Sequence, residues 1–426
     1  MNRKQFTLLL VLFVVVVVAG LLIYRHNQSS WQTVNQNLGQ KLLGDFPVND
    51  VAHIAIKQGT NELNLVKKDD FWRVQERNNY PANYSEISGF LLKARDLKVV
   101  QSEKVGPSQL PRLSLAPGQG TNSPMAVDLK DQKDKTIKSL LLGKKQMKKS
   151  DRPSPYGDFG GEGFAVGRYV KVGDSSDVLV ISDALANIEP KPEQWLDKDF
   201  FKIERVRSIA ATFPVATNSW KISRTNEAGE WQLADAKPTE QLDASKASGV
   251  ANPLNSPTFN DVAAAEKPAD LDASTNKPTV VAIETFDDFN YTLKVGQKNN
   301  ENYPLAMTVA AQIPKERTSV KDEKPEDKDK LDKEFKEKQK KLQDKLAQEK
   351  KFENWVYLVS NWTVDPLLKE RNQLMVEKKE EPKKEEKPTA SVETPKPDEP
   401  KKDEPPAPAD PPKKEEPPKP EQSAKP

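Results

Sequence analysis

The sequence contains no cysteine and only two histidines among 426 residues. The first absence excludes disulfides, thiolate metal sites and a cysteine nucleophile. The second leaves His26 and His53 as the only imidazoles. His26 borders an apolar run, and His53 sits among Val51, Ala52 and Ile54 in a predicted strand, with no second histidine or suitably spaced carboxylate beside it. A metal site or a histidine-assisted nucleophile is therefore not expected, and His53 reads as a histidine at a sheet edge. An excess of one charge is also missing. The 66 basic and 64 acidic residues leave a formal charge of +2, far from the basic footprint of a nucleic-acid-binding protein.

What is present begins with a run at residues 6–24, FTLLLVLFVVVVVAGLLIY, with no charged side chain. As a helix rising about 1.5 Å per residue it would span a hydrocarbon core of roughly 30 Å. Arg3 and Lys4 precede the run, so the positive-inside rule predicts a cytoplasmic amino terminus and an exported remainder. A cleaved signal peptide is the competing reading, but no small-x-small site follows the run. The expectation is a stub and anchor at 1–26 in the inner membrane, then a juxtamembrane stalk at 27–47 with Trp31 near the interface.

The folded body is expected from residue 48. Val51, Ile54 and Ile56, then Leu63, Leu65 and Val66, then Phe71, Trp72 and Val74 form short apolar runs divided by turn residues, the pattern of an antiparallel meander. Ile87, Phe90, Leu91 and Ala94 recur at helical spacing after a candidate cap at Ser85. Strands are predicted at residues 126–129, 137–142, 169–172 and 178–181, with a short helix at 183–188. The pattern then restarts. Glu230-Trp231-Gln232-Leu233 answers Phe71-Trp72-Arg73-Val74, and Leu293-Lys294-Val295-Gly296 answers Leu140-Leu141-Leu142-Gly143, at offsets of about 159 and 153 residues. A third pairing, Tyr169-Val170 with Trp355-Val356, has an offset of about 186 residues and implies an insertion in the second copy. The expected domains are 48–203 and 204–374.

The insertion is the Lys/Glu-rich stretch 315–351, in which Leu331, Phe335, Leu342 and Leu346 fall at helical spacing. It reads as a solvated helical arm, with a coiled-coil seam as the alternative. Residues 375–426 are rich in Pro, Lys, Glu and Asp and too poor in apolar side chains to offset the entropy of ordering, so a disordered tail is expected.

No catalytic, cofactor-binding or metal-ligating residue is assigned. Asp69-Asp70 and Asp287-Asp288 fall where hairpin turns recruit aspartate. The glycine-rich run at 157–163 lacks the Lys-Ser/Thr and the following helix of a phosphate loop, and reads as a hairpin loop. Lys144, Lys145, Lys148 and Lys149 read as a solvated lysine-rich loop. Trp72, Trp195, Trp231, Trp355 and Trp362 read as core.

The Asp69–Val74 hairpin end, Pro81 with the helix at 84–97 and its Leu-Lys-Val-Val exit, and Trp195-Leu196-Asp197 resemble domain-of-unknown-function family 4340, here as two tandem copies. The resemblance implies a bacterial membrane-anchored envelope protein, often accompanying gliding-motility-type ABC transporter components. Its motifs are packing motifs and carry no site residues.

The fold class expected is α+β: an amino-terminal transmembrane helix, two related antiparallel-sheet-plus-helix domains, a helical insert and a disordered tail. The function expected is non-enzymatic: a single-pass envelope protein that binds other proteins, as an ABC transporter auxiliary. An envelope spacer reaching the cell wall through its Pro-rich tail is the alternative, and a glycan hydrolase with paired carboxylates a further one. The expected partners are the membrane and envelope or transporter proteins, with no nucleic acid and no small-molecule cofactor.

Overall fold

The computed structural model describes residues 15–20, 31–33, 38–118, 123–148, 164–173, 175, 177–265, 267–273, 277–318 and 325–376. Residues 15–20 form a helix, α1. The first half then supplies β1 (Trp31–Thr33), β2 (His53–Gln58), β3 (Asn61–Lys68), β4 (Phe71–Val74), β5 (Tyr80–Pro81), α2 (Tyr84–Asp96), β6 (Val99–Val105), β7 (Met125–Lys130), β8 (Thr136–Lys148), β9 (Phe164–Val172) and β10 (Asp177–Ile181). The second half supplies β11 (Val206–Thr212), β12 (Trp220–Ser223), β13 (Gln232–Leu233), α3 (Ala244–Ala251), β14 (Asp261–Val262), α4 (Pro268–Ala273), β15 (Thr279–Thr285), β16 (Phe289–Val295), β17 (Asn302–Ala311), α5 (Pro325–Glu349), β18 (Tyr357–Ser360) and α6 (Asn361–Val364).

Local chemistry explains these elements. Asp69 and Asp70 both adopt positive φ, 50° and 65°, and form the two-residue turn from β3 to β4. Such turns match the right-handed twist of the flanking strands, and aspartate tolerates the left-handed region better than most residues. The helix α2 is capped two residues earlier than expected, because the side chain of Asn83, rather than that of Ser85, accepts from the Ser85 and Glu86 amides. Its buried stripe is Ile87, Phe90, Leu91 and Ala94. Asp243 caps α3 in the same way.

Two antiparallel sheets result. The first has the order β1-β6-β10-β9-β8-β7-β2-β3-β4-β5, and the second β13-β12-β11-β15-β16-β17-β18-β14. Followed from β14 to β13, the second sheet repeats the path that the first takes from β6 to β4, strand for strand. The register extends the correspondence to residues: Leu140 pairs with Val127 and Val172, and Leu293 pairs with Val281 and Met307. One expected equivalence changes. Tyr169-Val170 lies in β9, the counterpart of β17, so it does not correspond to Trp355-Val356, just ahead of β18. The second half therefore carries its insertion between β17 and β18, over residues 312–356, where the first half has only residues 173–176.

Gly143 and Gly296 show why the repeated Leu-x-x-Gly pattern ends in glycine. A Cβ on Gly143 would collide with the Leu113 carbonyl and approach Leu115 Cγ to 2.8 Å, and one on Gly296 would come within 2.7 Å of Pro304 Cγ and 3.1 Å of Leu271 Cδ2. In each half the segment that precedes the counterpart strands β7 and β15 lies against this position.

The chain to Val376 packs as one compact unit. One hydrophobic core runs through both halves, from Leu43 and Phe46 to Leu374 and Met375. The first half ends on residues 195–197, which hydrogen-bond along β5: the Asn83 amide donates to Trp195 O at 2.8 Å and Asp197 N to Pro81 O at 2.9 Å. The second half ends on residues 374–376 in the same manner, through Asp243 N to Leu374 O at 3.0 Å and Val376 N to Gln241 O at 2.9 Å.

Several expectations are corrected. Most of the apolar run at 6–24 lies outside the described residues. The described part, residues 15–20, is helical. Among the described residues no helix is long and apolar enough to cross a membrane. The single-pass anchor, the membrane as partner, the inner-membrane placement with exported domains, and the function built on them, a membrane-anchored envelope protein or transporter auxiliary, are withdrawn on that finding. The described residues of the segment expected as a stalk, 31–33 and 38–47, lie against the sheet. Trp31–Thr33 pairs with β6, Leu42 N donates to Leu97 O at 2.7 Å, and Leu43 and Phe46 are buried. Residues 183–188 form turns instead of a helix. The expected disordered tail, apart from residues 375 and 376, lies outside the described residues.

Helix α5 is also more than a solvated arm or a coiled-coil seam. Leu342 and Leu346 pack against the core, as does Phe352 just beyond the helix, and Glu349 is 5% exposed. Nearer its amino terminus Leu331 is 36% exposed.

Candidate functional site

The chemistry-bearing residues fall into four places. His53 lies in β2, between β3 and β7, and so in the interior of the sheet rather than at its edge. Its Nδ1 is 2.7 Å from Asp134 Oδ1 and its Nε2 is 2.9 Å from Asn64 Oδ1. The Asn64 amide group donates to Glu62 and Glu76, which leaves its oxygen for the imidazole. Asp134 is held below the usual carboxylate range by His53 first and Lys130 second. This is a satisfied network whose members hold one another.

The second place is a cleft of about 130 Å³ beneath α5, lined by Phe286, Asp287, Asp288, Phe335, Lys338 and Leu342 among others. Its carboxylates are engaged by cations. Asp287 pairs with Arg205 and, at 3.9 Å, with Lys338, and Asp288 pairs with Arg207 at 3.4 Å. Asp287 and Asp288 form the β15–β16 turn, where Asp288 has φ 57°. They bind side chains of their own fold, so general acid–base chemistry has no free pair here.

The third place is the seam between the halves. Arg77, beside β4, makes two hydrogen bonds to Asp261 of β14, Nε to Oδ1 at 2.8 Å and Nη2 to Oδ2 at 2.7 Å. Asp261 first, and Glu193 at 4.0 Å more weakly, hold the guanidinium above its ordinary pKa. Next to this fork, Tyr80 packs edge-on against Trp355, Phe259 and Tyr357 at centroid distances of 4.9, 5.9 and 6.1 Å. Phe200 from the connector closes on Tyr357 at 4.6 Å and Phe259 at 5.0 Å. Each such pair contributes about 0.5–1.5 kcal/mol beyond burial. Lys198 lies over the Phe259 ring at 4.6 Å and donates to Asn260 O at 2.8 Å, and burial lowers its pKa. The surfaces that meet differ: β5 and its flanking turn on one side, β14 and β18 on the other.

The fourth place is the β8–β9 hairpin. Lys144, Lys145 and Lys148 lie in strand β8, which corrects the expected loop, while Lys149 and the glycine-rich run at 157–163 lie outside the described residues. Arg168, 5% exposed, anchors the base of the hairpin by donating to Gly143 O at 2.8 Å and Leu185 O at 3.4 Å. Burial lowers its pKa to about 10. Lys145 Nζ donates to Ala186 O at 3.0 Å. Beyond this base, Met147, Phe164 and Val166 are 51%, 59% and 42% exposed.

Of the tryptophans, Trp72 and Trp195 are buried, and Trp231 and Trp355 pack partly buried against the core. Trp362, expected in the core, is 63% exposed on α6. Sequence reasoning missed Arg77, Asp261, Tyr80 and Phe200. Among residues rich in Arg and Asp, a single bonded pair 184 positions apart has no local signature. Among the described residues no group of three or more His, Asp and Glu side chains is placed to hold a metal ion.

Comparison with known proteins gives one family result. Residues 158–276 match the model of a family described as Domain of unknown function (DUF4340). That stretch takes in β9 and β10, the connector, and the second half through α4, so it straddles the seam and covers neither expected tandem copy as a unit. No curated protein and no solved structure matches the chain.

Proposed function

We propose that this chain is a non-enzymatic binding protein in which two domains of one design, 48–203 and 204–374, are joined into a single body. We read both as copies of the same family domain, the second enlarged by α5. The common strand order supports this reading, as does the equivalent way in which residues 195–197 and 374–376 leave their sheets.

The observation that carries the binding role is the seam. A bidentate guanidinium–carboxylate pair and an aromatic cluster hold one sheet end against the other. Such pairs add directional specificity to apolar burial. A protein that must present several surfaces in one geometry gains from this arrangement.

The test is proximity labelling from the full chain in its native cells, comparing the wild type with Arg77→Glu. A small set of labelled proteins that is lost in the variant is expected. An empty set, or the same set after the seam is loosened, would remove this reading.

A further inference from the structure

The outer part of the β8–β9 hairpin, beyond Gly143, has no counterpart in the β16–β17 hairpin of the second half. There β16 ends at Val295 and β17 starts at Asn302, joined by a tight connection in which Asn299 bridges Asn302. In the first half β8 continues from Gly143 to Lys148, paired with a β9 that begins at Phe164. The register shifts between Gln146 and Met147, which bends the ribbon where it leaves the sheet.

The base of this extension is fixed. Arg168 and Lys145 tie the two strands to the carbonyls of Gly143, Leu185 and Ala186. Gly167 lets β9 run close to β10, since a Cβ there would stand 2.8 Å from Ile181 O. Past the base, Met147, Phe164 and Val166 face solvent and Lys148 is the cross-strand partner of Phe164. A two-stranded ribbon is marginally stable in water by itself, so large apolar side chains on it gain most when a partner covers them.

We infer that this ribbon is a docking arm for an acidic protein segment that carries apolar side chains. The inference rests on the binding role proposed above and locates its contact. Charge selects the occupant. Past the ties made by Lys145 and Arg168, the described residues of the ribbon, 143–148 and 164–168, present the exposed Lys144 and Lys148 and no carboxylate. Two such arms from separate copies would bring lysines together, whereas a segment alternating Asp or Glu with apolar residues would match both features.

The experiment places the photo-crosslinking residue benzoylphenylalanine at Phe164 of the full chain in its native cells, with the same probe at exposed Tyr84 as reference. The expected result is one protein adduct specific to position 164, mapping to an Asp/Glu-rich segment. Its yield should fall about tenfold with Lys144→Glu and Lys148→Glu together, while thermal unfolding stays unchanged. An adduct insensitive to charge reversal, an adduct with a second copy, or no adduct would overturn the inference. So would binding only to vesicles of phosphatidylglycerol, measured by co-sedimentation. If proximity labelling finds partners while position 164 crosslinks to none, the arm is wrong and the binding role stands. If both come back empty, both fail.

Discussion

Arg77 and Asp261 meet across the seam through two near-parallel hydrogen bonds of 2.8 and 2.7 Å, with side chains 16% and 19% exposed. Their contact joins the β4–β5 turn of one sheet to an edge strand of the other. Removing either partner leaves the other charge poorly solvated, which costs more than an exposed ion pair would. In a double-mutant cycle of Arg77→Ala and Asp261→Ala, a coupling energy of about 2 kcal/mol is expected from denaturant unfolding. A coupling near zero would show that the aromatic cluster holds the seam alone.

Glu349 is the most consequential buried acid of the second half. Its Oε1 accepts the Lys202 amide at 3.3 Å, while its Oε2 is buried without a hydrogen bond. Burial, with a smaller contribution from Glu204, raises its pKa above 4.5, against the lowering effects of the Lys202 amide, Lys345 and Tyr291. The folded state thus binds more protons than the unfolded state between 4.5 and the raised value, so this group makes stability fall as pH rises through that window. Glu349→Gln keeps one acceptor and removes the charge. It should gain about 1 kcal/mol above the window, a difference that closes as pH approaches 4.5. Thermal melts across pH measure this, and a constant difference would contradict it.

The far end of the second half responds in the opposite sense. Glu240 pairs with Arg371 at 2.8 Å and accepts the Lys237 amide, and these contacts hold its pKa down to about 2. Its contribution is complete above 4.5, the unfolded value, and is lost as pH falls from there toward 2. Arg371→Met should therefore move the acid-unfolding midpoint to higher pH. Fluorescence of Trp220, whose Nε1 donates to Lys369 O at 2.7 Å, reports on the same end of the fold.

Gly143→Ala and Gly296→Ala test the shared packing of the two sheets. The added methyl meets backbone and Leu115 in one case, and Pro304 and Leu271 in the other. Each should lose about 2 kcal/mol, the scale of overpacking in a filled core. Loss in one and not the other would show that the two positions are not equivalent.

The strands were readable because alternation is local: β7, β15 and β16 show the buried–exposed period of two along their whole length. The turn roles of Asp69-Asp70 and Asp287-Asp288 were readable for a similar reason, since two-residue turns select aspartate. Composition misled at Trp362, where a large aromatic side chain was assumed to be covered and instead stands on a short surface helix. The lysines of β8 looked like a loop because the ribbon that carries them leaves the body and loses its buried face. The seam was invisible for another reason. Arg77, Tyr80, Phe200 and Asp261 come together only once both sheets exist, and pairing between distant segments leaves no periodicity along the chain.

A join between unlike surfaces gives the pair a direction, as in any head-to-tail assembly. Strand β6 holds the position in the first sheet that β14 holds in the second, yet it is hydrogen-bonded by the chain's own residues 31–33 and 39–42. At the opposite end, where the first half offers Tyr80 to its neighbour, the second offers Glu240 locked to Arg371. Among the described residues the two outer edges are thus closed by different contacts, backbone pairing along β6 at one and a side-chain ion pair at the other.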